Sequence, residues 1–224
     1  MIVAAGRGTR MGPGVDKLFL DVAGEPVVAH TWRRFDEHPG IQSVVLVIRP
    51  DLEAAFDEMA AELGFRKPYS LVAGGNERQD SVWNGLAALP DGCDVVAIQD
   101  GARPCTSSEL ITRCLAAARR MGASVAGQKA TDTIKEADGE GHIAKHLDRS
   151  RLWAVQTPQC FRANVIRRAL EAVRAQGFLI TDDTAACDLI GQAVELVEAQ
   201  SPNPKVTVPA DVPYVRLLLE QGLG

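Results

Sequence analysis

Ile2-Val3-Ala4-Ala5-Gly6-Arg7-Gly8-Thr9-Arg10-Met11, with Lys17 just beyond it, is a short apolar strand running into a glycine-rich, cationic loop. Backbone N–H groups and fixed positive charge converge there, where a polyphosphate can lie. Two better-known glycine loops do not fit. A P-loop ends in Gly-Lys-Ser/Thr, whereas the lysine here stands in Val15-Asp16-Lys17-Leu18. A dinucleotide-binding loop needs a third glycine where Met11 sits and an acidic residue closing the second strand, where Ile48-Arg49-Pro50 stands. The loop therefore points to nucleotide chemistry of another kind.

Outward from this segment, strand-like and helix-like runs alternate. Apolar positions from Glu25 to His38 recur at helical spacing, and Ser43-Val44-Val45-Leu46-Val47-Ile48 is an unbroken run of the kind buried on both faces of a parallel sheet. A helix over Leu52 to Leu63, a strand Tyr69-Ser70-Leu71-Val72, the pair Gly74-Gly75 and then a helix through Leu89 follow. Asn76 reads as the N-cap of that helix, with Gln79 completing a capping box. Asp94 to Ile98 is strand again, stopping at Gln99-Asp100-Gly101, and Thr106 with Glu109 forms a second box opening a helix to about Met121. This order predicts an α/β fold with a doubly wound, mostly parallel sheet in a single domain over residues 1–224. Ligands of such sheets sit outside the carboxyl ends of the strands. That rule gathers Gly6 to Met11, Gly74 to Arg78 and Asp100 to Arg103 along one rim.

The pattern changes after Ala123 to Ala126. Thr131 to Lys135 and Ile143 to Leu147 flank Asp138-Gly139-Glu140-Gly141, a hairpin signal. A polar hairpin inserted in a parallel sheet has no core of its own. It is expected to project, over about residues 130–150, as an arm that packs on a second copy of the chain. A helix over Arg162 to Ala175, a segment Thr184 to Ile190 and a last helix beginning at Lys205 to Pro209 complete the reading.

Composition sets limits on function. The chain has 224 residues, 46% hydrophobic and 24% charged, with a net charge of -5 and pI near 5.4. This disfavours a nucleic-acid-binding surface and leaves the focused Arg/Lys cluster to a small anionic ligand. No apolar run approaches the roughly 20 residues that span a bilayer, and no charged-then-apolar leader opens the chain, so a cytoplasmic protein without membrane attachment is expected. The first strand begins at residue one, which suggests that a few residues precede it in the natural start. Cys93, Cys105, Cys114, Cys160 and Cys187 show no C-x-x-C pair and read as reduced thiols. His142 and His146, on the hairpin, read as arm surface, and Trp83 and Trp153 as core.

Eight segments together resemble the 2-C-methyl-D-erythritol 4-phosphate cytidylyltransferase family over nearly the whole chain. They are Ala4-Ala5-Gly6-x-Gly8-x-Arg10-Met11 with Lys17, Gly74-Gly75-x-Glu77-Arg78-x-Asp80-Ser81, and Asp100-x-Ala102-Arg103-Pro104. Downstream stand Asp132-Thr133-x-Lys135, Asp148-Arg149-x-x-Leu152-Trp153, Thr157-Pro158-Gln159-x-Phe161, Thr181-Asp182-Asp183 and Lys205-x-Thr207-x-Pro209. The resemblance implies transfer of CMP from CTP to the sugar-alcohol phosphate with release of pyrophosphate, in isoprenoid precursor synthesis. Such a reaction must bring like-charged reactants together and stabilise extra charge in the transition state.

By this resemblance Arg10 and Lys17 stabilise charge at the α-phosphate, and Arg149 and Lys205 hold the methylerythritol phosphate. Asp100, Arg103, Thr133, Thr157 and Thr181 help to bind that substrate. Ala4, Ala5, Gly6, Gly8, Gly74, Gly75, Asn76, Arg78, Ser81, Asp100 and Gly101 surround CTP. Mg²⁺ is implied, held mainly by the triphosphate, with Asp100 as the best local carboxylate. A homodimer is implied too, in which the arm carries Arg149 into the neighbour's site.

The chain departs from the family pattern at Val3, Asp16, Leu18, Asn76 and Gly101. Asp16 is expected to alter the charge near the triphosphate, and Gly101 to loosen its backbone. A ribitol 5-phosphate cytidylyltransferase, an NAD-dependent dehydrogenase, a noncatalytic nucleotide-binding module and one half of a bifunctional chain are the alternatives. The missing third glycine opposes the dehydrogenase, and joint retention of Arg10, Lys17, Arg149 and Lys205 opposes the noncatalytic module.

Overall fold

The computed structural model describes residues 1–6, 8–12 and 16–222, Thr9 by its backbone only. Arg7 and Val15 of the opening segment lie outside the described residues. The elements run β1 (Ile2–Val3), β2 (Asp21–Val22), β3 (Glu25–Pro26), α1 (Val27–Asp36), β4 (Val44–Ile48), α2 (Glu53–Leu63), β5 (Tyr69–Ala73), α3 (Arg78–Ala87) and β6 (Val95–Asp100). They continue with α4 (Ser108–Met121), β7 (Ala123–Lys129), β8 (Lys135–Ala137), β9 (Ile143–His146), β10 (Trp153–Arg162), α5 (Ala163–Gln176), α6 (Ala185–Asp188), β11 (Glu195–Glu198) and α7 (Asp211–Glu220).

Seven strands form the central sheet in the order β11-β7-β10-β6-β1-β4-β5. All run in one direction except β10, which is antiparallel to both β6 and β7. The apolar run in β4 is buried throughout, and its side chains alternate between two cores. Val44, Leu46 and Ile48 join Trp32, Phe35, Phe56 and Ile111 on one face. Val45 and Val47 join Val82, Leu86, Ile166 and Leu170 on the other. Each large apolar side chain so enclosed contributes roughly 1.5–3 kcal/mol, and this two-sided burial fixes the positions of the loops at the strand ends.

Several local expectations are corrected. The first long helix starts at Val27, because Glu25–Pro26 pair with Asp21–Val22 across a turn in which Ala23 and Gly24 take φ of 55° and 87°. The cap of α3 is Glu77 rather than Asn76, and Asp80 rather than Gln79 closes the box. For α4 the cap is Ser107, whose hydroxyl accepts from Leu110 N at 3.2 Å, while Thr106 is buried. The segment after Asp183 is helical only over Ala185–Asp188. The last helix starts at Asp211, whose carboxylate accepts the N–H groups of Thr207 and Val208 at 2.7 and 2.9 Å, so the Lys205 segment is an extended approach to it. Strands β10 and β11 were not expected.

The hairpin is present as β8 and β9, turned on Asp138, whose Oδ1 accepts from Glu140 N and His142 N. Every residue from 131 to 146 is exposed, including Ile134 and Ile143. Trp83 and Trp153 are half-buried rather than enclosed, with Arg174 over the ring of Trp83 and Lys129 over that of Trp153. All five cysteines are free thiols.

Candidate active site

The loops leaving β1, β5 and β6 meet at the carboxyl edge of the sheet around a cleft of ≈ 210 Å³. Gly74 and Gly75 let the β5 loop close on its neighbours. A Cβ on Gly74 would stand 2.3 Å from Cβ of Ala5, and one on Gly75 2.3 Å from Cβ of Asp80. Gly75 N–H donates to Ser81 Oγ at 3.0 Å, so the first turn of α3 holds the glycine pair. Gly75→Ala is expected to destabilise the fold by about 1–3 kcal/mol through this overlap, seen as a lower thermal midpoint. A Cβ on Gly6 meets nothing within 4 Å, so Gly6→Ala is expected to leave the midpoint unchanged.

Gly101 is held at both ends, contrary to the expectation of a looser backbone. Its N–H donates to Val3 O at 2.9 Å and its carbonyl accepts from Thr31 Oγ1 at 2.9 Å. The carboxylate of Asp16 pairs with Arg49 at 2.7 Å and accepts from Leu18 N at 3.0 Å, and its charge also acts on Lys17.

Asp100, at the end of β6, organises the cations. Its carboxylate lies 2.8 Å from Lys205 Nζ, 3.5 Å from Arg103 Nε and 3.7 Å from Arg78. Burial would raise the Asp100 pKa, but Lys205 and then Arg78 outweigh it and hold the carboxyl below its usual value. The backbone N–H of Asp100 donates to Thr157 Oγ1 at 3.1 Å. That contact exists because β10 runs against β6 and brings its first half to the carboxyl edge.

Lys17 Nζ donates to Val206 O at 3.1 Å, and its stem runs past Gly8, where a Cβ would stand 3.1 Å from Lys17 Cγ. Gly8 also has φ of +61°, a conformation costly to other residues. Val206 N–H donates to Ala102 O at 2.8 Å, so Lys17, Lys205 and the Asp100 loop are tied together. Burial first, then the charge of Lys205, lowers the pKa of Lys17.

A second carboxylate lies behind the cleft. Asp183 is fully buried and its Oδ2 is 2.6 Å from Nη1 of Arg78, which also faces Asp100. Burial pushes the Asp183 carboxyl pKa up against the pull of Arg78.

Of the residues expected in the site, Ala4, Ala5, Gly6, Lys17, Gly75, Asn76, Arg78, Ser81, Asp100, Gly101 and Lys205 line this cleft. Gly8 and Gly74 pack just behind it. Arg10 is exposed on the turn Thr9–Met11. Arg103 and Thr157 support from the rear: Arg103 donates to Asn203 O at 2.7 Å, and Asn203 donates to Thr157 O at 2.8 Å. Thr133, Arg149 and Thr181 are exposed and line no part of the cleft; Arg149 donates to Thr131 O at 2.7 Å on its own arm. Asp183, Gln159 and Asn203 were not singled out in the sequence. Gln159 and Asp183 stand inside segments that were quoted, so their motif positions were the available signal.

For Mg²⁺, no cluster of three His, Cys, Asp or Glu side chains capable of holding a metal occurs among the described residues. Asp100, at the centre of the cleft's cations, suits a magnesium ion held mostly by substrate phosphates rather than one caged by protein.

A doubly wound sheet with a glycine-walled, cation-ringed cleft at its carboxyl edge defines a nucleotidyltransferase. The chain belongs to the family described as "IspD: 2-C-methyl-D-erythritol 4-phosphate cytidylyltransferase", whose model matches residues 1–221. It is 39% identical over 222 residues to the 2-C-methyl-D-erythritol 4-phosphate cytidylyltransferase of Caldanaerobacter subterraneus subsp. tengcongensis, covering 99% of this chain and 98% of the relative. Among solved structures, the 4-diphosphocytidyl-2C-methyl-D-erythritol synthase of Anaerococcus prevotii superposes with a TM-score of 0.86 at 28% identity, covering 98% of this chain and 96% of that one. The cytidylyltransferase of Thermus thermophilus gives 0.78 at 29% identity over 98% and 97%. The chain is thus a cytidylyltransferase.

Proposed function

We infer that the cleft transfers CMP from CTP to 2-C-methyl-D-erythritol 4-phosphate, forming 4-diphosphocytidyl-2-C-methyl-D-erythritol and pyrophosphate. The observation that carries the reading is the convergence of Lys17, Lys205 and Arg78 on Asp100 beside the glycine wall. A phosphate oxygen of the acceptor attacks the α-phosphorus, its new P–O bond forming as the bond to the β-phosphate breaks. Pyrophosphate leaves opposite. Fixed cations serve this and no protein nucleophile is required, because the barrier lies in charge and alignment.

Backbone groups of Ala4, Ala5, Gly6, Gly75 and Gly101, with Asn76, Arg78 and Ser81, hold the cytidine nucleotide. Lys17 and Arg10 meet the charge that develops at the α-phosphate. Lys205 and Asp100 receive the acceptor, with Arg103 and Thr157 bracing Asp100. Bound Mg²⁺ would neutralise triphosphate charge, with Asp100 as the protein oxygen beside it.

Thr133 and Arg149, on the arm, act in the cleft of a second subunit of a homodimer, and Thr181 helps from the rim. Exposed Ile134 and Ile143 on an otherwise polar hairpin support an arm that is covered in the assembly. We place the enzyme in the cytoplasm, a setting that suits its five free thiols.

Pyrophosphate release with methylerythritol phosphate, measured across ATP, CTP, GTP and UTP, tests this reading. CTP is expected to be preferred by on the order of a hundredfold, because the wrong base leaves hydrogen-bonding groups of the site unpaired. Equal turnover with UTP or ATP overturns the assignment of the glycine wall to cytidine.

A further inference from the structure

The first turn of α3 reaches in two directions. Arg78 lines the cleft, while its neighbour Gln79 grips the segment ahead of Asp183. Gln79 Nε2 donates to Phe178 O at 3.0 Å, and its Oε1 accepts from Ile180 N at 3.1 Å. Past that point, Gln159 Oε1 accepts from Asp183 N at 3.0 Å, and Gln159 Nε2 donates to Asp182 at 3.0 Å. Asp182 in turn accepts from Ala185 N at 3.0 Å. The backbone on both sides of Asp183 is therefore fixed by Gln79, Gln159 and Asp182, and none of that needs an acid at position 183.

We propose that Asp183 is a positioning residue of the transfer site, holding the guanidinium of Arg78 across the wall of the cleft from inside the protein. The inference rests on the reading of that cleft as the CTP site. Arg78 spans two carboxylates, with Nη1 2.6 Å from Asp183 and Nη2 3.7 Å from Asp100. Among the described residues Arg78 is the cation paired with Asp183, so it is the group that balances the buried charge. The lock is mutual, since the guanidinium cannot swing away without stranding that charge. Without Asp183, the ion pair left to Arg78 among the described residues is that with Asp100, which already holds Lys205 at 2.8 Å. The planar fork would then compete with Lys205 and withdraw from the nucleotide wall. A guanidinium spans both acids in one plane, which a lysine ammonium cannot do.

Asp183→Asn keeps the shape and removes the charge. It is expected to raise KM for CTP about tenfold, with kcat changed by less than about twofold, as for loss of binding shared by ground and transition states. Arg78→Gln is expected to raise KM similarly, and the double variant Arg78→Gln/Asp183→Asn to be no worse than Arg78→Gln alone. Unchanged KM in folded Asp183→Asn, or penalties that multiply in the double variant, would overturn the proposal. Arg78→Lys gives a test that does not depend on Asp183→Asn folding. It keeps a cation beside Asp183 but loses the fork, and should show the same rise in KM; unchanged KM overturns the proposal. Wild-type KM in Arg78→Gln would instead remove the cleft as the CTP site, and the proposal with it.

Discussion

Lys17→Ala is expected to cut turnover by roughly a hundredfold or more while leaving KM for CTP nearly unchanged, the pattern of a group that acts on charge present only in the transition state. The geometry gives the reason. Lys17 is fixed at both ends, by the close pass of its stem at Gly8 and by the bond from Nζ to Val206 O at 3.1 Å. Its ammonium is thus held in place before any ligand arrives, beside Lys205 and Asp100. Such preorganisation is what makes a cation effective, because little reorganisation remains to be done during the reaction. Lys17→Arg should recover little, since a planar fork does not occupy the position of an ammonium at the end of a packed stem. Steady-state kinetics with CTP and methylerythritol phosphate decide the matter. A variant that loses affinity for CTP yet keeps wild-type turnover at saturation would make Lys17 a binding residue only.

The same residues show how far the sequence is readable. The run Val44–Ile48 was legible as a strand buried on both faces because five successive apolar residues leave little else for a segment of that length. The glycine wall was legible because a strand ending in Gly74-Gly75 before a helix must bring backbone close to something. Its contact, Cβ of Ala5, is supplied by another strand end and could not be named. Strand β10 was not legible. Trp153–Arg162 carries Pro158, which lacks an N–H and argues against a central strand. The sheet accommodates it where the pairing with β7 slips between Val155 and Gln159.

The caps failed for a more local reason. Asn76/Gln79 and Glu77/Asp80 are overlapping patterns, and preference tables favour asparagine at the cap. The chain uses the acidic pair one residue later, which leaves Asn76 free to line the cleft and Gln79 free to hold Phe178 and Ile180. The Arg78–Asp183 pair had no sequence signal beyond motif membership, because it joins residues far apart in the chain through the packing of α3 against α5, on which α6 after Asp183 also packs. A charge reads as solvated until the fold shows that it is buried. Asp16 was legible only in part: its charge acts on Lys17 as its place in the chain suggested, but its ion pair with Arg49, just past the end of β4, had no sequence signal.

Refolding Lys17→Ala together with Arg149→Ala in equal amounts is expected to restore about a quarter of wild-type activity from two inactive proteins. Arg149 is exposed, stands at the foot of the arm and does not line the cleft of its own chain. Its guanidinium rests on Thr131 O, an arrangement that presents it outward together with Thr133. If a two-fold dimer places each arm in the other subunit's cleft, the contact is reciprocal and each site draws Lys17 from one chain and Arg149 from the other. Random pairing makes about half of the dimers mixed. In a mixed dimer the Arg149→Ala chain keeps its own Lys17 and receives an intact Arg149, while the other site carries both defects. One working site in two, in about half of the dimers, gives about a quarter of full activity. Subunit exchange is checked independently by mass-tagging one variant. If exchange is complete and activity stays at background, the arm serves its own subunit or none, and the assignment of Arg149 to the neighbouring cleft is wrong.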